Sequence, residues 1–519
     1  MARLTLAFGL ALLYASAYFL AFLNPHALYF IPSFWEYIVY PSLISIFCMT
    51  AIFLLATSSI VGYRVKRGFV FFGTVVLTII AIKSTFDAAG YPWLQLLQFL
   101  KLIMPATLEV HDNFRIERVI LAGLAITITF FFVYLIREKL SKWLHWLSAL
   151  GYAFIVLAIY RSVAFDFIFD VPAPASVAVA SQVAVPVARR VVWVIFDEMD
   201  YSLSLAPDSG MVGRMPNFSA LSAHAATASL AYAPGRDTLY SIPALLSGTA
   251  LSGVTIRPQN RLELINEQQK VIRFGLDSAV FSQLSGGPQS ATVLGFYHPY
   301  CKLFPTLQIC HSTYLGNAGR WFDSLAFFSE AIFSAVRHVK WVNQFMPEFI
   351  LFYFDPMYRV SKNILSQLDE TLDNDGSALD FIHINIPHLP NVYMQRLLQQ
   401  PVGNDVEGYK QNLVGTDIVL GRIVKQLQLQ AAKQNVLLIV SSDHWLRTHS
   451  KQAAPVPFIA WRVGASMPSV LHGPFSTVHS KQLALDFLAE RVNTQLEVTQ
   501  ALRQTTYHAI WSAPDGYSY

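Results

Sequence analysis

Carboxylate and imidazole side chains directly follow three apolar stretches in the second half of the chain. These side chains are Asp197, Glu198, Asp443, His444 and His388. Carboxylate oxygens and imidazole nitrogens are ligands that zinc and manganese take in proteins. Acids placed after a strand can also cap the next helix. The same arrangement after three separate stretches instead favours a site for one divalent metal ion.

The three stretches have the composition of β-strands that are buried on both faces. They are VVWVIF at residues 191–196, FIHINI at residues 381–386 and VLLIV at residues 436–440. Helical patterns lie between them, above all at residues 405–430. This alternation predicts an α/β domain with a mostly parallel central sheet. Because ligands bind beyond the carboxyl ends of such strands, neighbouring strands would bring their polar ends to one site.

A hydroxyl group that could act as a nucleophile lies in the stretch 215–248. On residue types alone, Thr238 is read as the N-cap of a helix that begins near Ser241. A threonine hydroxyl is a weak nucleophile at neutral pH unless a neighbouring metal lowers its pKa. At a helix N-terminus, a phosphate would also meet free backbone N–H groups. N-cap and nucleophile are the two alternatives for this residue.

The same stretch, MPNFSALSAHAATASLAYAPGRDTLYSIPALLSG, resembles the alkaline phosphatase and sulfatase superfamily. More narrowly, the chain looks like the membrane-anchored branch that contains the phosphoethanolamine transferases and the lipoteichoic acid synthases. In the transferases, a threonine at this spacing before Ser-x-Pro is the nucleophile. The resemblance therefore implies that Thr238 forms a covalent phospho-threonine. Sulfatases have a modified Cys or Ser in that place, so the threonine favours phosphate.

Ser442, Asp443 and His444 resemble the metal-binding Ser-Asp-His-Gly signature of the superfamily. The resemblance implies one divalent ion, with zinc or manganese expected first and magnesium or calcium as alternatives. One further ligand is the acid that ends the first strand, and two residues fit that place. The implied metal ligands are Asp443, His444, Thr238 and either Asp197 or Glu198.

Two histidines occupy places where the resemblance implies contacts to the transferred group. His298 ends Gly-Phe-Tyr-His, where sulfatases have Gly-Lys-Trp-His, and His388 lies in a segment similar to the family's His-x-Pro. These imidazoles are expected to hold the equatorial oxygens or to protonate the leaving group. The further substrate-binding candidates are Ser241, His383, His449 and Lys451.

Three residues depart from the family pattern. Phe296 stands where sulfatases have the lysine that contacts the sulfate, which argues against a sulfatase. Trp445 replaces the glycine of the metal signature, and Leu446 replaces the glutamate that usually follows. A bulky indole is thus expected where close approach of the backbone is usual. These departures favour an alternative in which the domain is a catalytically degenerate scaffold or binding module.

The first part of the chain is much more apolar than the second. Of all 519 residues, 54% are hydrophobic and 13% are charged, against about 25% charged in soluble domains. A segment at residues 91–106 is read as an interfacial amphipathic helix. Longer apolar runs, sufficient to cross ~30 Å of hydrocarbon, lie at residues 4–23, 43–63, 68–82, 119–136 and 143–164. The sequence therefore predicts an N-terminal α-helical transmembrane bundle of about five helices at residues 1–165.

Basic residues set the expected orientation of this bundle. Lys and Arg occur at the N-terminus and in the loops around residues 64–67 and 137–142, whereas residues 24–41 contain none. The positive-inside rule then places the N-terminus in the cytoplasm and the later domain outside. We expect a multi-pass protein of a bacterial inner membrane. Residues 166–190 would form a Pro- and Ala-rich linker, and residues 191–519 a periplasmic catalytic domain.

Cys301 and Cys310 lie close together in the later domain. A disulfide is expected if this domain faces an oxidising space, and two buried thiols are the alternative. The formal net charge of +4, without a run of Lys or Arg, gives no reason to expect nucleic acid binding.

The sequence therefore predicts a membrane-anchored, metal-dependent phosphotransferase or a phospho- or sulfo-ester hydrolase. Membrane anchoring favours a lipid-linked donor and an envelope glycan or lipid acceptor. A transporter is the least favoured class, because the expected spans contain few ionisable residues.

Overall fold

The computed structural model describes residues 2–22, 40–56, 70–71, 74–75, 77–78, 131, 134, 139–164, 188–257, 261–313, 356–389, 391–400, 403, 405–450 and 452–505. The chain divides into two compact units. One unit comprises Met1–Pro172 together with Pro258–Asn260 and Asn317–Val336, and the other comprises the remaining residues.

The first unit contains three long helices in its described part. They are α1 (Ala2–Phe22), α2 (Tyr40–Ala56) and α3 (Leu140–Ala164). Helix α1 packs against both others. A methyl group on Gly151 would lie 2.0 Å from the carbonyl oxygen of Gly9, so α1 and α3 can approach this closely only because both positions are glycine.

The predicted spans are only partly covered by these helices. The spans at residues 4–23, 43–63 and 143–164 overlap α1, α2 and α3, while most of the spans at 68–82 and 119–136 lies outside the described residues. The predicted interfacial helix at 91–106 and linker residues 166–187 also lie outside them. Within the described residues, no helix is both long enough and apolar enough to cross a membrane.

The second unit is built on a central sheet. Its strands and those of two smaller sheets are β1 (Arg189–Asp197), β2 (Ala226–Ala228), β3 (Ala231–Tyr232), β4 (Leu251–Arg257), β5 (Arg261–Asn266), β6 (Val271–Phe274), β7 (Ala291–Phe296), β8 (Ile309–Thr313), β9 (Leu379–Pro387), β10 (Asn435–Ser442), β11 (Phe458–Arg462), β12 (Ser469–Leu471) and β13 (Phe475–Ser476). The central order is β12-β2-β11-β10-β1-β9-β7-β8, and the smaller sheets are β13-β3 and β4-β5-β6.

The middle of the central sheet is parallel. Strand β1 pairs in parallel with β10 on one side and β9 on the other, and the parallel arrangement continues through β7 to β8. Strand β11 runs antiparallel to both of its neighbours. The predicted α/β architecture with a mostly parallel central sheet is confirmed. The three strands predicted from apolar runs are the adjacent trio β10-β1-β9.

The register of this trio brings their polar ends level. Phe196 pairs with Ser442, and Asp197 pairs with Pro387 across a local irregularity. The side chains that follow β1, β9 and β10 therefore meet at one edge of the sheet, as expected for parallel strands.

Helices pack against the central sheet, and helix and strand residues together form the apolar core of this unit. In this unit they are α4 (Tyr201–Ser204), α5 (Pro216–Ser222), α6 (Thr238–Ser247), α7 (Tyr300–Leu303), α8 (Pro356–Asp373), α9 (Val392–Leu397), α10 (Val406–Gln430), α11 (Ser480–Leu488) and α12 (Gln495–Arg503). Residues of α5, α8 and α10 share one apolar cluster with the central strands. Asp417 of α10 accepts hydrogen bonds from the backbone N–H groups of Asn217 and Phe218, so it holds the first turn of α5.

A disulfide joins Cys301 in α7 to Cys310 in β8, with 5.5 Å between their Cα atoms. It closes a short loop directly after His298 and Tyr300. The bond thus restrains the segment that carries both side chains.

Removing this disulfide is expected to destabilise the second unit. Closing a loop with a sequence separation of 9 restricts the unfolded chain, which corresponds to about 3 kcal/mol of unfolding free energy. The double variant C301A/C310A should therefore lose about that amount in urea unfolding of the full chain. As a control, a reducing agent should destabilise the wild type and leave the double variant unchanged. Equal stabilities of the two proteins under oxidising conditions would contradict this role.

Candidate active site

The ends of β1 and β10 bring together three side chains that could hold a metal ion. Asp197, Asp443 and His444 are all buried, and one ligand atom from each lies within 4.8 Å of the others. His444 Nε2 lies 3.4 Å from Asp197 Oδ1 and 3.6 Å from Asp443 Oδ2. We call Asp197, Asp443 and His444 the ligand group.

The hydroxyl of Thr238 lies directly beside the ligand group. Thr238 Oγ1 donates a hydrogen bond to Asp443 Oδ2 at 2.7 Å and lies 3.5 Å from His444 Nε2. Helix α6 begins at Thr238 itself, and Asp237 is its N-cap, because the Asp237 carboxylate accepts from the backbone N–H of Tyr240. The N-cap alternative for Thr238 is therefore wrong, as is a helix start near Ser241.

The side chain of Glu198 is not part of the ligand group and instead contacts His388 and Arg447. Its backbone has a φ of 62°, a left-handed conformation that costs energy for a residue other than glycine. Its carboxylate lies 3.4 Å from His388 Nε2 and 3.5 Å from Arg447 Nε. Of the two acids that the sequence left open, the structure brings Asp197 into the ligand group and places Glu198 next to it.

Backbone contacts fix this turn after β1. The backbone N–H of Glu198 donates to Asp443 Oδ1 at 3.0 Å. The hydroxyl of Tyr409, on α10, donates to the carbonyl oxygen of Glu198 and accepts from the backbone N–H of Asp200. Because both hydrogen bonds are buried, Tyr409 holds the strained residue in place.

The orientation of His444 suits a metal ligand. Its Nδ1 lies 3.0 Å from the carbonyl oxygen of Trp445, to which only a protonated Nδ1 can donate. The neutral imidazole then presents the lone pair of Nε2 to the ligand group. The indole of Trp445 is 3% exposed and donates to the carbonyl oxygen of Ser450. The residue that replaces the signature glycine is thus packed into its own loop, and Leu446 beside it is also buried.

His298 contacts the backbone of the nucleophile candidate. Its Nε2 lies 3.0 Å from the carbonyl oxygen of Thr238, and the side chain is 1% exposed. Burial lowers the pKa of His298 to about 3, despite the opposing effect of this hydrogen bond. The imidazole is therefore neutral at neutral pH. The structure gives it a contact that orients Thr238, where the sequence suggested a contact to substrate oxygens.

His383 approaches the ligand group from β9. Its Nδ1 shares a hydrogen bond with the hydroxyl of Tyr300 at 3.0 Å, and its Nε2 lies 3.9 Å from Asp443 Oδ2. Burial lowers its pKa to about 4. A side chain on Gly295 would collide with the ring of Tyr300 at 2.8 Å, so the glycine makes room for this pair.

The remaining predicted residues are less closely involved. Ser241 is fully buried in α6, and its hydroxyl has no hydrogen-bond partner among the described residues. His449 is exposed, and Lys451 lies outside the described residues. Arg447 and Tyr409 were not predicted from the sequence. Arg447 could have been noticed from its place three residues after His444, whereas no local signal marks Tyr409.

The ligand group has the chemistry and the unmet polar contacts of a cation site. Asp197 Oδ1 is buried, and within the described part of the chain it makes no hydrogen bond beyond its 3.4 Å contact with His444 Nε2. Two carboxylates and a neutral imidazole match the ligands preferred by zinc and manganese. Asp197, Asp443 and His444 would hold the ion, with the Thr238 hydroxyl beside it.

The charges of the ligand group depend strongly on one another. Burial raises the pKa of Asp443, although the nearby positive charge of His444 opposes this effect. Burial alone would lower the pKa of His444. The charge of Asp443 and the contact with Asp197 outweigh it and raise this pKa to about 9. In the metal-free protein, both ring nitrogens of His444 are therefore protonated at neutral pH, and the imidazole is positively charged.

Metal binding is expected to release one of these protons. Only a neutral imidazole can bind a metal, so a metal ion must displace about one proton at pH 7, and its affinity should fall about tenfold per pH unit below pH 9. Titration calorimetry with zinc in buffers of different ionisation enthalpy measures the protons released. Above pH 9 the release should disappear. An affinity that does not change between pH 6 and pH 8 would contradict the assignment of His444 as a ligand.

Comparison with known proteins finds similarities to parts of this chain. Residues 307–492 match the family model described as Sulfatase. This match confirms the predicted resemblance to the sulfatase superfamily for this part of the chain. No curated protein matches the chain.

Several solved structures are similar to part of this chain. One is the lipoteichoic acid synthase LtaP from Listeria monocytogenes, at 10% identity and a TM-score of 0.37, covering 58% of this chain and 72% of that one. Another is the PsFucS1 sulfatase from Pseudoalteromonas sp., at 15% identity and a TM-score of 0.37, covering 58% and 68%. A third is the phosphonate monoester hydrolase of Agrobacterium radiobacter, at 14% identity and a TM-score of 0.37, covering 58% and 74%.

Proposed function

We propose that this chain, part of which matches the Sulfatase family model, is a metal-dependent enzyme that transfers or hydrolyses phospho- or sulfo-esters through Thr238. One observation carries the proposal. A buried hydroxyl at the first position of a helix donates to Asp443 at 2.7 Å, and Asp443 belongs to a group of three buried potential metal ligands. A nucleophile, its proton acceptor and the means to lower its pKa are thus held together.

The first half of the reaction forms a covalent phospho-threonine. The Thr238 Oγ1 attacks phosphorus, the bond from phosphorus to the alcohol oxygen breaks, and the hydroxyl proton passes to Asp443 Oδ2. When bound, the divalent cation supplies positive charge that lowers the pKa of the hydroxyl and attracts the ester oxygens. Zinc or manganese fits this role first, and magnesium or calcium is the alternative.

The imidazole of His388 is positioned to protonate the leaving group. Its Nε2 lies 3.4 Å from Glu198 and its side chain is 27% exposed, so it can reach both substrate and solvent. We assign to it the protonation of the departing alcohol. In the second half of the reaction, water or an acceptor hydroxyl attacks phosphorus and gives its proton to His388. The bond from phosphorus to Thr238 Oγ1 breaks, and Asp443 returns the proton to Oγ1. His298 keeps the backbone of Thr238 in position throughout.

Phosphate is favoured over sulfate as the transferred group. Phe296, at the place of the sulfate-binding lysine, is 1% exposed and its ring lies 4.4 Å from the ring of His383. The same replacement supports the second candidate function, a catalytically degenerate scaffold or binding protein of the cell envelope. Metal analysis of the purified chain separates the two, because a tightly bound stoichiometric metal is expected only of the enzyme.

We further propose that the domain acts outside the cytoplasm of a bacterium, at the inner membrane. Two observations support this. The basic residues of the N-terminal part are distributed as the positive-inside rule requires for a cytoplasmic N-terminus. The disulfide between Cys301 and Cys310 is a bond that persists in oxidising compartments such as the periplasm. The substrates would be a lipid-linked donor and an envelope glycan or lipid acceptor.

Mass spectrometry of the intact, metal-loaded chain tests this function. After incubation with an envelope lipid extract, a mass increase should appear and map to the peptide that contains Thr238. The Thr238→Ala variant is the control and should show no adduct. An adduct on another residue would exclude the proposed nucleophile. Turnover of lipid without any adduct in rapidly quenched samples would exclude the covalent route.

A further inference from the structure

Two basic side chains lie beside the ligand group, Arg447 and His388. Arg447 Nε makes an ion-pair contact of 3.5 Å with Glu198, and Nδ1 of His388 is buried without a hydrogen-bond partner among the described residues. Both side chains approach the same carboxylate, that of Glu198, from the loops after β10 and β9. An enclosed polar atom left unpaired costs free energy. The unpaired Nδ1 of His388, next to the positive charge of Arg447, therefore indicates a place where a polar, negatively charged ligand would be stabilised.

The guanidinium of Arg447 lies in the field of several acids. Burial alone would lower its pKa, but the charges of Glu198, Asp197, Asp237 and Asp443 raise it, so the side chain stays positive. Two of those acids belong to the ligand group. A divalent cation bound there would offset their charge and leave the charge of Arg447 available to an anion.

Phe296 offers no positive charge to an anion. Its side chain is buried, and its ring lies 4.4 Å from the ring of His383. Arg447 keeps 32% of its side chain exposed, so a ligand can reach it. Arginine also presents a planar fork of N–H donors that matches two oxygens of a phosphate or sulfate group at once.

We propose that Arg447 binds the tetrahedral oxyanion group of the substrate and supplies the positive charge that Phe296 cannot. This role rests on the proposed function, since it presumes that a phospho- or sulfo-ester enters the site. In it, Glu198 holds the guanidinium in position beside the ligand group. Arg447 then determines how strongly the site prefers charged esters to neutral ones.

Binding of inorganic phosphate to the metal-loaded full chain tests this role. In titration calorimetry, Arg447→Gln should weaken phosphate binding by about 10- to 100-fold, as expected for the loss of charge-assisted hydrogen bonds. Arg447→Lys should recover part of the affinity, because it restores the charge without the fork. The matched control is Arg422→Gln, since Arg422 lies on α10 and pairs with Asp369 at the surface. It should bind phosphate like the wild type.

The metal content of each variant excludes a merely structural role. Arg447→Gln should retain the metal of the wild type, because Arg447 is not a ligand. Unchanged phosphate affinity in this variant would overturn the proposal, and so would loss of the metal together with loss of phosphate binding. Phosphate binding needs no covalent step. A wild type that binds phosphate through Arg447 but forms no adduct on Thr238 would therefore sink only the proposed function.

Discussion

Replacing Thr238 by alanine is expected to reduce phosphoester turnover by about 10⁴-fold or more, because removal of an attacking nucleophile leaves only binding and electrostatic effects. The side chain is small and makes its polar contacts only with Asp443 and His444 among the described residues. The fold and the metal should therefore survive the change. Thr238→Ser should retain measurable turnover, since it keeps the hydroxyl. Initial rates with p-nitrophenyl phosphate measure the effect.

The matched control for this variant lies at the other end of the same helix. Thr249 follows α6, and its hydroxyl contacts only the carbonyl oxygen of Ser247 within the described part of the chain. Thr249→Ala should turn over substrate like the wild type. If Thr238→Ala retained more than about a tenth of wild-type turnover, a different residue or a water molecule would have to be the nucleophile.

The predictable part of the fold is the part whose signal is local. Strands β1, β9 and β10 are buried on both faces, and such strands appear in sequence as continuous apolar runs. The short strands β2 and β12 pair with each other and β2 pairs with β11, but three residues carry too little pattern to be recognised. Their pairing depends on the rest of the sheet, as does the antiparallel direction of β11.

The residues of the candidate site likewise divide into those with a local sequence signal and those without one. Asp443 and His444 could be found because they directly follow a recognisable strand. The choice between Asp197 and Glu198 could not be made, because it depends on the left-handed backbone of Glu198. That conformation is held by Tyr409, which lies more than two hundred positions away in sequence. Likewise, the N-cap could not be assigned, because Asp237 and Thr238 both suit it.

Replacing Asp443 by asparagine is expected to remove the metal and nearly all turnover. The carboxylate has several tasks in the structure. Its Oδ2 accepts from Thr238, and its Oδ1 accepts from the backbone N–H groups of Glu198 and His444. Asparagine keeps the shape and one acceptor but loses the charge that a divalent cation requires. We expect zinc affinity to fall at least about 100-fold and turnover at least about 10³-fold.

The Asp443→Asn substitution should also change the stability of the metal-free protein and the pKa of His444. In the metal-free wild type, the Asp443 carboxylate lies 3.6 Å from Nε2 of the protonated His444. Removing one partner of a buried ion pair is destabilising, so the metal-free variant should be less stable than the metal-free wild type. The charge of Asp443 also raises the pKa of His444 to about 9. Without it, that pKa should fall, which NMR titration of the imidazole would show.

A second buried carboxylate provides the control. Asp417 is 2% exposed and accepts backbone hydrogen bonds from the start of α5, but it is not part of the ligand group. Asp417→Asn should cost about 1 kcal/mol of unfolding free energy and leave zinc affinity unchanged. If Asp443→Asn instead bound zinc as tightly as the wild type, the metal would have to lie elsewhere, and the reason for placing Thr238 at a catalytic centre would be lost.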